Sequence, residues 1–302
     1  MLMNKKEIPV YDIDHLSLFK NKDILISRLA PYLAVHKNLY LAHKHSFYHL
    51  ILFTEGGGSH DIDFDTFSVQ PYHIYFMIPG QVHSWNFLGQ INGYVVNFSE
   101  QFFKTFLVDA EYVDHFKFFS GVVKDSVYNL PEELQSTIVK YFEDMLNESE
   151  NRLPFSIDMV KSILLQLLLT VGRIGFTDQI NKPSNYNQIL FRRFQKLIEK
   201  NFISIHLPKT YAEILNVTPN YLNSLCRDLV GLPAGAVIRN RIILEAKRLL
   251  VNLELNISEI AYKLDFQDNS YFSKFFKNQV GMTPEDFRKG EFNKVANANI
   301  LK

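Results

Sequence analysis

Two stretches in the last third of this chain repeat each other at a near-constant offset. Residues 210–231, TYAEILNVTPNYLNSLCRDLVG, align with 258–281, SEIAYKLDFQDNSYFSKFFKNQVG. Tyr221 and Leu222 pair with Tyr271 and Phe272, Cys226 with Phe276 and Gly231 with Gly281, each 50 residues apart, while Ala212 pairs with Ala261 at 49. A self-similar segment of this length is one supersecondary unit used twice. The second copy carries one extra residue at its turn.

Each copy has the parts of a helix-turn-helix. Ala212 or Ala261 lets the first helix approach the second closely. Asn216 or Asp265 follows four residues later, where the chain must turn, and these residue types tolerate a left-handed backbone. Thr218 or Asp268 then stands as the N-cap of a second helix. That helix turns Leu222, Leu225 and Cys226, or Phe272, Phe275 and Phe276, toward a core. The opposite face near the helix N-terminus is left for base edges in a DNA major groove. It carries Asn220, Asn223 and Ser224 in the first unit, and Asn269, Ser270, Ser273 and Lys274 in the second. Asn pairs with adenine and Lys reaches guanine, whereas Arg227 and Lys277 suit phosphates. An exposed polar position without a base contact is the plainer reading for any one of them.

Residues 234–252, AGAVIRNRIILEAKRLLVN, read as the helix joining the two units. Nineteen residues span about 28 Å at 1.5 Å each, which approaches the ~34–36 Å of one DNA turn, so one chain is expected to read a bipartite site on double-stranded DNA. With EAKRLL, ISEIAYKL and NSYFSKFFKNQVGMTPEDFR in this spacing, the last hundred or so residues resemble the AraC/XylS family of bacterial transcription regulators. The resemblance implies a seven-helix DNA-binding domain over 188–290 and matches the residues above to the family's base-contacting positions. The family usually has Gly where this chain has Asp265. RNA polymerase is an expected partner if the regulator is an activator.

The net charge is zero, yet residues 187–302 carry 17 Lys and Arg against 11 Asp and Glu, and residues 1–186 carry 15 against 21. A basic half beside an acidic one fits a chain of which one part meets phosphates. The single cysteine, Cys226, excludes an intramolecular disulfide and fits a reducing compartment. The N-terminus lacks the apolar run of a signal peptide, and SILLQLLLTVGRIGF is too short and too polar to span a bilayer. A cytoplasmic protein without a membrane segment is expected.

From about 24 to 125, short alternating apolar runs are divided by TEGGGSHD, SVQPYH and IPGQ, which predicts a small β-barrel or sandwich. After Pro131 a helical period takes over, with helices over 131–149 and 155–174. The second is apolar almost all round from Met159 to Val171, so it is covered either wholly by its own barrel or partly by a second subunit. A homodimer through this helical pair is the expectation. NKPSNYNQ reads as a linker, placed at 181–187, and 291–302 as a C-terminal tail. The fold class is α+β multidomain, a barrel with a helical pair over 1–180 followed by an all-α domain with two helix-turn-helix units.

HKHSFYHLILFTEGGG and IPGQVHSWN resemble the cupin-like sensor domain found at the N-terminus of this family. His43, His45, Tyr48, His83 and Trp85 are the candidate walls of a pocket for a small-molecule effector, aromatic surface with a few polar handles. In metal-binding cupins a His-x-His strand, a later Glu and a distant His converge on an ion. Here His43, His45 and His83 are present, the glutamate position is taken by His49 or Leu50, and His49 lies in phase to replace it. Partly buried pocket histidines are the favoured reading, with no cofactor expected. A metal-dependent cupin enzyme with an appended DNA-binding domain is the alternative.

Overall fold

The computed structural model describes residues 8–16, 23–104, 106–109, 112–151, 153–174, 186–251 and 255–290. Most of the expected linker (181–185) and the expected tail (291–302) lie outside these residues. The chain divides into two compact units, one of residues 8–180 and one built on 181–302.

The first unit is an eight-stranded mixed sheet, β1 (Val10–Tyr11), β2 (Ile24–Arg28), β3 (His43–His45), β4 (Tyr48–Ile62), β5 (Asp65–Ser68), β6 (His73–Met77), β7 (Val82–Phe98) and β8 (Val127–Asn129). The path runs β1-β3-β7-β4-β6-β8, with β2 added to β7 and β5 to β4. Only β1 with β3 is parallel. Short helices α1 (Ile13–Leu16) and α2 (Leu29–Val35) lie among the first strands. The sheet therefore reaches beyond the expected 24–125 at both ends, and residues 99–125 contribute turns and 3-10 segments in place of further strands.

Strands β4 and β7 pair along nearly their whole length, from Tyr48 with Phe98 to Ile62 with His83. The register shifts between Phe53 and Glu55 and again between Glu55 and Gly57, bulges that bend both strands. Gly93, at φ 150° opposite Phe53, is required there: a Cβ would come within 2.0 Å of the Leu52 carbonyl oxygen. Bending separates two cores. The inner face buries Phe47, Ile51, Phe53, Ile62, Tyr75 and Trp85. The outer face buries Leu50, Leu52, Phe76, Val96 and Phe98.

The helical pair, α3 (Glu132–Asn151) and α4 (Ser156–Gly172), packs on that outer core through Ile138, Phe142, Met145, Val160, Leu164, Leu167, Leu168 and Val171. At about 1.5–3 kcal/mol for each fully buried side chain, this contact dominates the stability of the pair. It also accounts for the apolar circumference of α4, since seven of its residues are buried within the unit. A second subunit is not needed to cover them. What stays exposed is the α3–α4 corner: Leu153, Phe155, Ile157 and Met159.

In the second unit lie α5 (Tyr186–Asn201), α6 (Pro208–Ile214), α7 (Pro219–Val230), α8 (Ala234–Leu250), α9 (Ile257–Lys263), α10 (Asn269–Val280) and a last helix, α11, over 284–290. These are the seven helices the resemblance implied. Helix α5 begins at Tyr186, so the end of the expected linker is already helical. One core holds both repeats together: Ala212, Leu222 and Cys226 of the first, Ala261, Phe272 and Phe276 of the second, and Ile238, Ile242 and Ala246 of α8 between them.

Candidate functional site

The two helix-turn-helix units, α6–α7 and α9–α10, form for the reasons their sequences suggest. Ala212 and Ala261 are fully buried where the helices meet. Asn216 and Asp265 hold φ at 53° and 61°, the left-handed turn. Thr218 Oγ1 accepts the Tyr221 N–H and Asp268 Oδ1 accepts the Tyr271 N–H, so α7 and α10 start on side-chain caps. Helix α9 adds a reciprocal capping box between Asn256 and Glu259. Gly231 and Gly281, both left-handed, end the two second helices. Cys226 sits in the core, where burial pushes its thiol up to about 12, too high for redox chemistry at neutral pH.

Asn220, Ser224 and Arg227 are exposed on α7, and Ser270, Lys274 and Lys277 on α10. Asn269 and Ser273 are half-buried, and the Ser273 hydroxyl donates to Asn269 Oδ1 at 3.2 Å, so this pair presents itself as one polar unit. Asn223 departs from expectation. Its side chain is half-buried, and its Oδ1 accepts the backbone N–H of Ala234 at 3.0 Å, which caps α8. Its acceptor is therefore engaged within the fold and not turned to a base. Tyr221, which entered the sequence reading only through the repeat alignment, donates its hydroxyl to Asn187 Oδ1 at 2.6 Å and ties α7 to α5.

Inside the sheet of the first unit, His43, His45, His49, His60 and His83 are all buried. His43 pairs across strands with His83, and His60 with Trp85. Ring centroids lie 4.1 Å apart for His43 and His83, 4.7 Å for His43 and His45, and 4.8 Å for His45 with either His49 or His83. Desolvation pushes every one of these imidazoles down, His43 to about 4, His49 to about 3 and the others well below their usual range. All five are neutral near pH 7.

Of the expected pocket walls, His43, His45, His83 and Trp85 come together, with His49 beside them. Tyr48 does not. It stacks on Phe98, at 4.9 Å between centroids, and packs into the outer core under the helices. Strict alternation along β4 sends residue 48 to the face opposite His49. His60 was missed for the converse reason, because it is 11 residues from His49 and alternation alone would separate them. The bulges in β4 flip the phase and return it to the inner face. The run of three glycines just before it was the available signal.

Residues 34–168 match the family model of the AraC-like ligand binding domain, and residues 211–290 match that of a helix-turn-helix domain. The HTH-type transcriptional activator RhaR of Shigella flexneri is 20% identical over 255 residues, 83% of this chain and 88% of that protein. Among solved structures, the C-terminal domain of the two-component response regulator yesN from Fusobacterium nucleatum is 29% identical and covers 32% of this chain and 93% of that one, with a TM-score of 0.30. ToxT from Vibrio cholerae is 13% identical and covers 88% of this chain and 98% of that one, with a TM-score of 0.42.

Proposed function

The chain belongs to the AraC/XylS family of transcription regulators, and we propose that it reads a bipartite promoter site with α7 and α10 while a ligand in the sheet interior sets the response. The observation that carries this reading is the repetition itself. Two polar, exposed helix N-termini are fixed on one shared core by α8, whose 17 residues span about 25 Å at 1.5 Å each. Asn220, Ser224, Asn269, Ser270, Ser273 and Lys274 are the proposed base readers, and Arg227 and Lys277 the phosphate contacts. The RhaR relatives are named as transcription activators, which favours a regulator over the cupin-enzyme alternative and activation, with RNA polymerase as partner, over repression. Among the described residues no helix is long and apolar enough to cross a membrane, in keeping with a cytoplasmic site of action.

The expected homodimer rests on the α3–α4 corner, where Phe155 is 78% and Leu153 60% exposed. Such a cluster on an acidic, well-packed unit suits a second copy. The ligand site is assigned to the buried cluster of His43, His45, His83 and Trp85, and binding changes DNA affinity only by favouring one arrangement of the chain over another.

Selection of bound fragments from random DNA by the purified full-length protein tests the central reading. Two enriched blocks about one helical turn apart are expected. Uniform recovery of all sequences would reduce the protein to a nonspecific DNA binder.

A further inference from the structure

Helix α8 joins the two helix-turn-helix units, and its two ends are held in different ways. Toward the N-terminus Ala234, Ile238 and Ile242 are buried. There Asn223 Oδ1 accepts the Ala234 N–H at 3.0 Å, and Arg241 Nε donates to both carboxylate oxygens of Glu199 on α5 at 2.8 Å. At the other end, the last turn of a helix leaves carbonyls with no partner inside the helix. A side chain of α11 takes one of them. Arg288 donates from Nε to the carbonyl oxygen of Leu250, the last residue of α8, at 3.0 Å. The same guanidinium donates from Nη2 to the carbonyl oxygen of Leu255 at 2.7 Å, and Leu255 stands just ahead of Asn256, the N-cap of α9.

One planar group thus grips both ends of the connection that leads from α8 into the second helix-turn-helix. Nε and Nη2 lie on one edge of the guanidinium, so their N–H bonds run nearly parallel and hold the two carbonyls side by side. Arg288 is half-buried; burial draws its pKa down, and the two carbonyls stand in for the lost water. A cation also suits the carbonyl end of α8. The arginine is itself placed by its own helix. Thr283 Oγ1 accepts the Asp286 N–H at 3.1 Å to start α11, and the buried Phe287 meets Phe276 of α10 edge-on at 5.6 Å between ring centroids. Lys247 of α8 lies over the Phe287 ring, 5.6 Å from its centroid. The core shared by Ala246, Leu250, Ile260 and Ala261 draws the same elements together, but apolar packing has no direction. A two-pronged hydrogen bond does.

We infer that Arg288 is the positioning residue that sets the angle of the second helix-turn-helix on α8, and through it the base-pair gap at which α7 and α10 read DNA together. The inference rests on the reading of these two helices as paired readers of one bipartite site. One base pair added between the blocks moves one of them about 3.4 Å along the duplex and about 35° around it. Readers held rigidly admit a single gap, whereas a second reader free to swivel admits several. The role requires arginine, because Lys offers one ammonium on a flexible stem and cannot hold two carbonyls in a fixed plane. Arg288 acts through α10 and touches no base.

The test measures gap tolerance with the full-length protein. Duplexes carrying the two selected blocks are compared at the selected gap and at gaps one base pair longer or shorter. Wild-type protein should reject the altered gaps by roughly 10- to 100-fold, the size of a lost base contact, and Arg288→Met should cut that to about threefold or less while each block keeps its own sequence preference. Arg288→Lys should behave as Arg288→Met does, and Lys289→Met, at an exposed neighbour, as wild type. A merely structural role would lower the melting temperature and leave gap discrimination intact. Should Arg288→Met fail to fold, Arg288→Lys decides alone. Wild-type discrimination retained in either folded variant overturns the inference and leaves the bipartite reading standing. A wild-type selection that yields no pair of blocks overturns both.

Discussion

Asn223 caps a helix that is not its own: its Oδ1 accepts the N–H of Ala234, the first residue of α8, across the α7–α8 turn. The N-cap position of α8 is Pro233, which has no side chain able to do this. At the equivalent place in the second unit stands Pro284, which has no N–H to satisfy, and Asn223 is matched by Ser273. The repeat therefore diverges at a pair of positions together. Asn223→Ala should lower the stability of the DNA-binding unit by about 1 kcal/mol, the usual worth of an N-cap. It should leave base preference unaltered, and Asn223→Asp, which keeps the acceptor and places a charge at a helix N-terminus, should restore stability. Urea denaturation of the three proteins, paired with DNA selection on each, checks both halves. A relaxed motif at full stability would return Asn223 to the base readers.

Lys274 and Lys277 lie one turn apart on α10 and are both exposed, yet they are expected to behave differently. Lys274 is near the helix N-terminus, where side chains reach base edges. Lys274→Ala should cost about 1–3 kcal/mol at the cognate site and relax one or two base positions. Lys277→Ala should weaken all sequences alike and reduce the salt slope of binding by about one. Binding isotherms at several salt concentrations, on the selected site and on scrambled DNA, distinguish these outcomes.

Asp265 holds φ at 61° in the turn between α9 and α10, where an L-residue carries a strain of roughly 1–2 kcal/mol. Asp265→Gly should stabilise the unit by up to about 1 kcal/mol, the relief of strain exceeding the added freedom of the unfolded chain. Asp265→Val, β-branched, should lose about 1–2 kcal/mol or more. Thermal melts of the two variants check the sign. Since this turn joins α9 to α10, the proposed reading helix, Asp265→Gly also shows by its DNA affinity whether the strained residue serves recognition.

The second unit was legible because each copy of the repeat tests the other, so that Ala212, Asn216 and Thr218 could be matched to Ala261, Asp265 and Asp268 before any helix was placed. Exposure of a polar residue was the weaker inference, since side-chain hydrogen bonds such as that of Asn223 cross between elements and leave no periodic trace. In the first unit alternation read His43, His45 and His49 to one face and failed at the bulges, which is why His60 was overlooked. Tyr48 was an error within the pattern, an even position grouped with odd ones. Helix α4 shows a further limit: an apolar circumference states how much surface must be covered, and not whether the sheet and α3 or a second chain covers it.

Five neutral, desolvated imidazoles on one inner face make the first unit sensitive to acid. Their folded values lie below the ordinary 6.5, at about 4 for His43 and about 3 for His49. Below pH 6.5 the unfolded chain therefore takes up protons that the folded chain refuses. Stability is complete above that pH and is lost as pH falls toward the folded values, each group contributing a slope of about 1.4 kcal/mol per pH unit. Several groups acting together would exhaust the stability of an ordinary domain, some 5–15 kcal/mol, within one to two units. Trp85 emission should thus shift cooperatively between about pH 6 and pH 5, with tertiary contacts of the first unit lost in the same range. A spectrum unchanged down to pH 4 would mean that water reaches the cluster.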